Sequence, residues 1–387
     1  MRLPLRWSLF VLAGLVVGLI SSTGPAAPPK FSDNVPDGNT EPKAYLDVKA
    51  KLTDDDPADP KIVGSVHKIH EVALEAGKTY RIDMTSRKLD SYLRLEDPDG
   101  HTVAEDDDGG GDFNARIVYK ATKTAKHKIV ATATKTGSRP ETTGRYRLTV
   151  RDAEPRDIVF ARLRDLSTKN PPLAERRRTI AEAVDFLAKQ PKLVTDDANI
   201  GYKIAYALDG LPKREGIEFA DKLKTVFATA TNTTLRDLSS TFEGVARKLD
   251  LPGNEIDLKG TLLDGKELDW KSYRGKVVLI DFWATWCGPC RAELPHLKNL
   301  RAKFGEAGFD IVGVSADYKD DAPAEYMKKN GYDWACIFEK GDQRQPMIDR
   351  YGILAFPTTI LVDRDGRVIS IDPEREELDT IIARHLE

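Results

Sequence analysis

Two of the three cysteines stand three positions apart, as Cys287 and Cys290 in Trp286-Cys287-Gly288-Pro289-Cys290. At that spacing on the first turn of a helix, two thiols can close a small disulfide ring with little backbone movement. A helix N-terminus also presents unpaired amides and the positive end of the helix dipole, which favour negative charge. Cys287 is thereby biased toward thiolate, the form that attacks disulfides. Cys290, one turn in, is expected to be the more buried sulfur and the resolving thiol that collapses a mixed disulfide. A structural zinc site needs four ligands. There is no second cysteine pair, and His296 is the only histidine between His127 and His385, so no metal is assigned.

The surrounding residues supply the elements such a pair needs. Val277 to Trp283 is a nearly unbroken apolar run holding one acid, Asp281, and reads as a buried central strand. Ile311–Ser315 and Thr358–Val362 read as two more strands. Helical stretches lie at about Cys290–Phe304, Pro323–Lys329, Pro346–Tyr351 and Glu374–His385. Strands alternating with helices imply an α/β sheet covered on both faces. At the end of an apolar strand Asp281 is desolvated, so it should hold its proton more tightly and exchange protons near neutrality. The plainer alternative is a hydrogen-bonded structural acid. Glu293 is one turn beyond Cys290, with a solvated helix face as its alternative. Pro295 should bend the helix and carries no chemistry. Cys336, between Trp334-Ala335 and Ile337-Phe338, reads as a buried free thiol.

Val278-Leu279-Ile280-Asp281-Phe282-Trp283-Ala284-Thr285-Trp286-Cys287-Gly288-Pro289-Cys290-Arg291-Ala292-Glu293-Leu294-Pro295, behind Gly275-Lys276-Val277, resembles the TlpA/ResA-like branch of the thioredoxin-fold proteins. Those are extracytoplasmic thiol–disulfide oxidoreductases. The resemblance covers residues 251–387 and implies a thioredoxin fold with Cys287 and Cys290 as the redox pair. It also implies Asp281 and Glu293 as acids serving the second cysteine, and a cis proline at Pro357 in Phe356-Pro357-Thr358, lying against the disulfide. Trp286, Gly288, Pro289 and Phe356 would then contact the substrate. The redox-active disulfide would serve in place of any cofactor. Protein thiols or disulfides would be the partners, with an upstream membrane electron donor. Gly288-Pro289 is similar to the reducing thioredoxins, whose potential is about −270 mV, which favours a reductant. A thiol peroxidase using Cys287 with Thr285 is the alternative enzyme reading.

The chain is 387 residues long, 40% hydrophobic and 31% charged, with 59 basic and 62 acidic residues giving a net charge of −3. This length implies more than one domain, and three cysteines exclude a cysteine-stapled miniprotein. The charge balance argues against a nucleic-acid partner. The architecture expected is multidomain: an antiparallel β-sandwich, a helical spacer and an α/β thioredoxin fold. Residues 1–27 combine Arg2 and Arg6, an apolar stretch from Ser8 to Ile20 and small residues beyond it. They read as a signal peptide, hence a periplasmic or otherwise extracytoplasmic protein, with an uncleaved membrane anchor as the alternative. Residues 28–60, rich in Pro, Asp, Gly and Lys, read as a flexible linker.

Residues 61–152 hold short alternating runs, Thr79–Met84, Tyr92–Glu96, Arg116–Tyr119, His127–Ala133 and Tyr146–Val150, separated by turn residues. Leu74-Glu75-Ala76-Gly77-Lys78-Thr79-Tyr80, Asp90-Ser91-Tyr92-Leu93-Arg94-Leu95, Asp97-Pro98-Asp99-Gly100 and Gly144-Arg145-Tyr146-Arg147-Leu148-Thr149-Val150 resemble the pre-peptidase C-terminal (PPC) domain, a small jelly-roll module of secreted proteins. The acidic run Asp106–Asp112 reads as a solvated loop, with a Ca²⁺ site or a non-catalytic envelope-binding module as the alternative. Residues 153–250 carry helical stripes, Leu173/Ile180/Val184/Leu187, Ile217/Ala220/Leu223/Phe227 and Leu235/Leu238/Phe242/Val245/Leu249, and read as the helical spacer.

Overall fold

The computed structural model describes residues 44–111, 113–135, 139–338 and 346–387. The expected signal segment 1–27, the first part of the expected linker and Asp112 of the acidic run lie outside the described residues. The chain forms two compact units, one running up to Arg162 and the other Leu163–Glu387. Among the described residues no helix is long and apolar enough to cross a membrane.

The first unit is built from β1 (Ala44–Leu52), β2 (Lys68–Leu74), β3 (Thr79–Thr85), β4 (Asp90–Glu96), β5 (Thr102–Asp106), β6 (Ala115–Lys120), β7 (Ala125–Thr134) and β8 (Gly144–Asp152). They make two antiparallel sheets, ordered β1-β8-β3-β6 and β2-β7-β4-β5. Alternation decides the core. Tyr80, Ile82 and Met84 of β3 and Leu93 and Leu95 of β4 are wholly buried with Ile129, Leu148 and Val150 in one cluster. Asp106 closes the acidic loop by accepting from the amides of Gly109 and Arg116, each at 2.7 Å.

The linker reading fails over residues 44–60. In β1, Leu46, Val48, Ala50 and Leu52 turn inward while Asp47, Lys49 and Lys51 face water, and the strand pairs with β8 along its length. Beyond it, Asp59 accepts a bidentate pair from buried Arg94, at 3.0 and 2.9 Å. Composition scores such a segment as solvated because half its strand is charged by design of the pleat and the rest is anchored by polar bonds. β2 and β5 were likewise absent from the alternating runs read in the sequence.

Helix α1 (Pro155–Lys169) contains the boundary between the units. The second unit continues with α2 (Leu173–Ala188), α3 (Thr195–Leu208), α4 (Lys213–Ala228) and α5 (Thr233–Asp250). The stripes of α2, α4 and α5 are buried at Ile180, Val184, Leu187, Ala220, Leu223, Phe227, Leu235, Leu238, Phe242 and Val245. Leu173, at the first turn of α2, is exposed instead.

After α5 come β9 (Val277–Trp283), α6 (Gly288–Phe304), β10 (Phe309–Ser315), α7 (Ala322–Asn330), β11 (Ala335–Ile337), α8 (Pro346–Arg350), β12 (Thr358–Val362), β13 (Val368–Ile371) and α9 (Arg375–Leu386). The sheet order is β11-β10-β9-β12-β13, with β9, β10 and β11 parallel and β12 and β13 antiparallel. This is the expected thioredoxin fold. Every residue of β9 is buried, odd positions in a core shared with α6 and α9, even positions in a second core shared with α8.

The expected division at residue 250 does not separate two packed bodies. The backbone of α5 meets the end of α8 and the residues just after it at Gly244, where an added Cβ would fall on the Asp349 carbonyl oxygen and 2.5 Å from the Gly352 nitrogen. Arg247 donates to the Arg350 carbonyl at 2.5 Å, and Tyr206 of α3 donates to the Leu354 carbonyl at 2.6 Å. The composition shift at Leu251 marks a change of architecture, while two glycines let the layers touch through their backbones.

Candidate active site

Cys287 is the N-cap of α6, in extended conformation (φ −79°, ψ 109°), and Gly288 and Pro289 open the first turn. Proline costs no hydrogen bond there, because first-turn amides have no partner within the helix. The amide of Cys290 donates to Cys287 Sγ at 3.1 Å. The two sulfurs are bonded at 2.04 Å with their Cα atoms 5.3 Å apart. Cys290 is 1% exposed and Cys287 6%, so the deeper sulfur is the one expected. Reduction of this bond would leave Cys287 Sγ facing an amide donor and the positive end of α6, the setting that favours thiolate.

Three aromatic rings cluster on Trp286, the residue before Cys287. Trp286 is 45% exposed; Tyr318 stacks on it at 5.9 Å and Phe356 meets it edge-on at 5.8 Å. Phe356-Pro357 is the cis peptide bond among the described residues. Gly288 and Pro289 are exposed, while Phe356 and Pro357 are half-buried. Trp283 is fully buried, in a packing role.

The turn from β9 into α6 is held from the next strand. Asp317 accepts from the Thr285 amide at 3.1 Å and from its hydroxyl at 2.5 Å, and from Ser315 Oγ at 2.9 Å. The Thr285 hydroxyl is thus engaged with a carboxylate, away from the role a peroxidatic threonine would have. Asp317 and Tyr318 were missed in the sequence. The available signal was position: both follow the C-terminal end of a parallel strand, where open α/β sheets build their sites.

The two predicted acids interact with each other. Burial pushes Asp281 well above the ordinary carboxylate range, and the negative charges of Glu293 and then Asp372 add to the effect. Half-buried Glu293 is also pushed up, chiefly by desolvation, with Arg375 opposing and Asp372 reinforcing. Asp372 is the acid that sequence reading missed. It follows β13 in the left-handed region (φ 47°), which aspartate tolerates better than most residues.

Cys336 lies in the row Asp281–Gly313–Cys336 across β9, β10 and β11. A Cβ on Gly313 would stand 3.2 Å from Cys336 Sγ, so the glycine leaves room for the thiol. Cys336 is buried and free, and burial pushes its thiol up to about 12.

The family described as Redoxin matches residues 231–382. A thiol-disulfide oxidoreductase ResA of Bacillus thuringiensis subsp. konkukian is 37% identical over 109 residues, 28% of this chain and 61% of that protein. The ResA of Bacillus subtilis is 31% identical over 108 residues, 28% of this chain and 59% of that protein. The thioredoxin domain of a thiol-disulfide oxidoreductase from Bacteroides vulgatus is 27% identical, covering 35% of this chain and 98% of that one at a TM-score of 0.33. The chain therefore spans less than two thirds of the length of the curated relatives it matches, and the match falls on the segment that carries Cys287 and Cys290.

Proposed function

We propose that this protein is an extracytoplasmic thiol–disulfide oxidoreductase that reduces protein disulfides through Cys287 and Cys290. The observation that carries the reading is the disulfide at the N-terminus of α6, next to exposed Trp286, whose ring meets that of Phe356. In the reduced protein the Cys287 thiolate attacks a substrate disulfide and releases one substrate thiol. Cys290 then loses its proton and attacks Cys287 Sγ, breaking the mixed disulfide and freeing the second thiol. The substrate gains two electrons and the pair is left oxidised. Asp281 or Glu293 accepts the Cys290 proton. An upstream membrane electron donor would restore the dithiol. The extracytoplasmic location rests on the signal-like residues 1–27, and the jelly-roll, PPC-like reading of the first unit on its turn-and-strand words and two antiparallel sheets.

Insulin reduction tests the activity. Wild-type protein supplied with dithiothreitol should precipitate insulin chains faster than dithiothreitol alone, and Cys287→Ser should abolish the acceleration. Equal rates for the two proteins would sink the mechanism.

A further inference from the structure

The contact between β9 and β10 continues past the ends of both strands. Its last register pair is Trp283 with Ser315, and the Ala316 amide donates to the Trp283 carbonyl at 2.8 Å. One step on, buried Asp317 accepts from the Thr285 amide at 3.1 Å and from its hydroxyl at 2.5 Å. The next step is ring on ring. Tyr318 lies on Trp286 with centroids 5.9 Å apart and planes 17° from parallel. Residues 315–318 thus follow residues 283–286 up to the position before Cys287. The Asp317 carboxylate is held inward, with Ser315 Oγ as a further donor at 2.9 Å. Phe356 meets Trp286 edge-on at 5.8 Å and packs against the core cluster that includes Cys287 and Cys290. Tyr318 is nevertheless 67% exposed and Trp286 45%. Two stacked rings therefore stand open to water beside the outer sulfur, where apolar area is normally buried or kept for a partner.

We propose that Tyr318 is a specificity-determining residue: stacked on Trp286, it receives an aromatic or large aliphatic side chain adjoining the cysteine of a substrate polypeptide. The inference rests on the oxidoreductase reading and gives it a substrate class. Covalent chemistry fixes where the occupant sits. In the mixed disulfide the substrate sulfur is bonded to Cys287, one residue from Trp286, and the Cα atoms on either side of the substrate cysteine are about 3.8 Å from its own. The side chains flanking that cysteine are the ones within reach of the two rings. The stacked pair offers them apolar area and ring faces. A ring or an alkyl chain gains from burial there, and a hydroxyl or a charge does not. Asp317 holds the loop on Thr285 before any substrate arrives, so little ordering remains to be done on binding. The discrimination acts on the first exchange. Cys287 Sγ forms a bond to one substrate sulfur, and the other substrate sulfur leaves with the electron pair as a thiolate.

Two symmetrical peptide disulfides test this, one a dimer of Gly-Phe-Cys-Phe-Gly and the other a dimer of Gly-Ser-Cys-Ser-Gly. In each dimer both sulfurs are equivalent, so the site of attack is not in question. The reduced full chain is mixed with either dimer, the reaction is quenched with acid, and the released peptide thiol is measured by chromatography. Each rate is divided by that of dithiothreitol on the same dimer, which removes intrinsic differences in reactivity. Wild type should prefer the phenylalanine dimer by roughly tenfold, Tyr318→Ala should shrink that preference by roughly threefold to tenfold, and Tyr318→Phe should keep it. The exposed position of Tyr318 leaves the core of both variants intact. A preference that survives in Tyr318→Ala overturns the proposal. Equal slowing of both dimers in that variant also overturns it, since the ring would then only support the turn. Loss of the preference in Tyr318→Phe would assign it to the hydroxyl and overturn the ring contact. A wild type that reduces both dimers equally defeats the proposal and leaves the oxidoreductase reading standing, whereas a wild type inert toward both defeats the two together.

Discussion

The hydroxyl of Tyr206, on α3, donates to the carbonyl of Leu354 at 2.6 Å, three residues before cis Pro357. A helix outside the thioredoxin sheet thus holds the loop that borders the disulfide. Tyr206→Phe removes only this hydrogen bond, which is worth about 0.5–1.5 kcal/mol net. The expected outcome is a loss of insulin-reduction efficiency of roughly twofold to tenfold with thermal stability lowered only slightly. Unchanged kinetics in steady-state assays would show that the loop holds its shape without α3.

Gly244 lies where α5 meets the end of α8, and a methyl there would collide with backbone atoms of Asp349 and Gly352. Backbone cannot swing aside as a flexible side chain can. Gly244→Ala should therefore destabilise the second unit by about 1–3 kcal/mol. Denaturant unfolding followed by tryptophan fluorescence reads this directly. A variant as stable as wild type would mean that the two layers separate readily.

Burial holds the Asp281 carboxyl well above its ordinary range, with Glu293 and Asp372 adding to the effect. The folded state then binds this proton more tightly than the unfolded chain does. Stability is lost as pH rises from the ordinary carboxylate pKa toward the folded value. Asp281→Asn cannot ionise and escapes that loss. Its stability advantage should be small near pH 4 and grow toward neutral and alkaline pH, reaching on the order of 1 kcal/mol or more. Melting curves recorded across this range should diverge; parallel curves would contradict the assignment.

The Cys336 thiol, pushed up to about 12 by burial, is protonated at any pH near neutrality. In the reduced native protein at pH 8, iodoacetamide should label Cys287 within minutes and leave Cys336 unmodified until denaturant is added. Mass spectrometry of the peptides distinguishes the sites. Labelling of Cys336 in the native protein at the rate of an exposed thiol would mean that the row from Asp281 to Cys336 opens to water.

Much of the candidate site was legible in the residues themselves because its parts are contiguous. Val277–Trp283, the turn and the first turn of α6 follow one another, and an all-apolar strand feeding Cys-Gly-Pro-Cys specifies burial, helix start and sulfur spacing locally. The bounds of β9 and β12 and the cis bond at Pro357 agree with the expectations. The helical stripes of α2, α4 and α5 were legible for the same reason, since a 3.6-residue period is a local property. Tertiary structure alone decided the rest. Asp317 reaches Thr285 across 32 positions, Tyr206 reaches Leu354 across 148, and Asp372 takes the Thr359 amide only once β13 is paired with β12. Each sits in an ordinary local pattern, so nothing nearby in the chain marks it. The strand Ala44–Leu52 was hidden in the same way, its identity resting on a partner strand about a hundred residues away, as in Asp47 with Arg147. Short-range sequence determined where the sulfurs stand; the folding of distant segments onto them decided which acids, rings and backbone groups surround them.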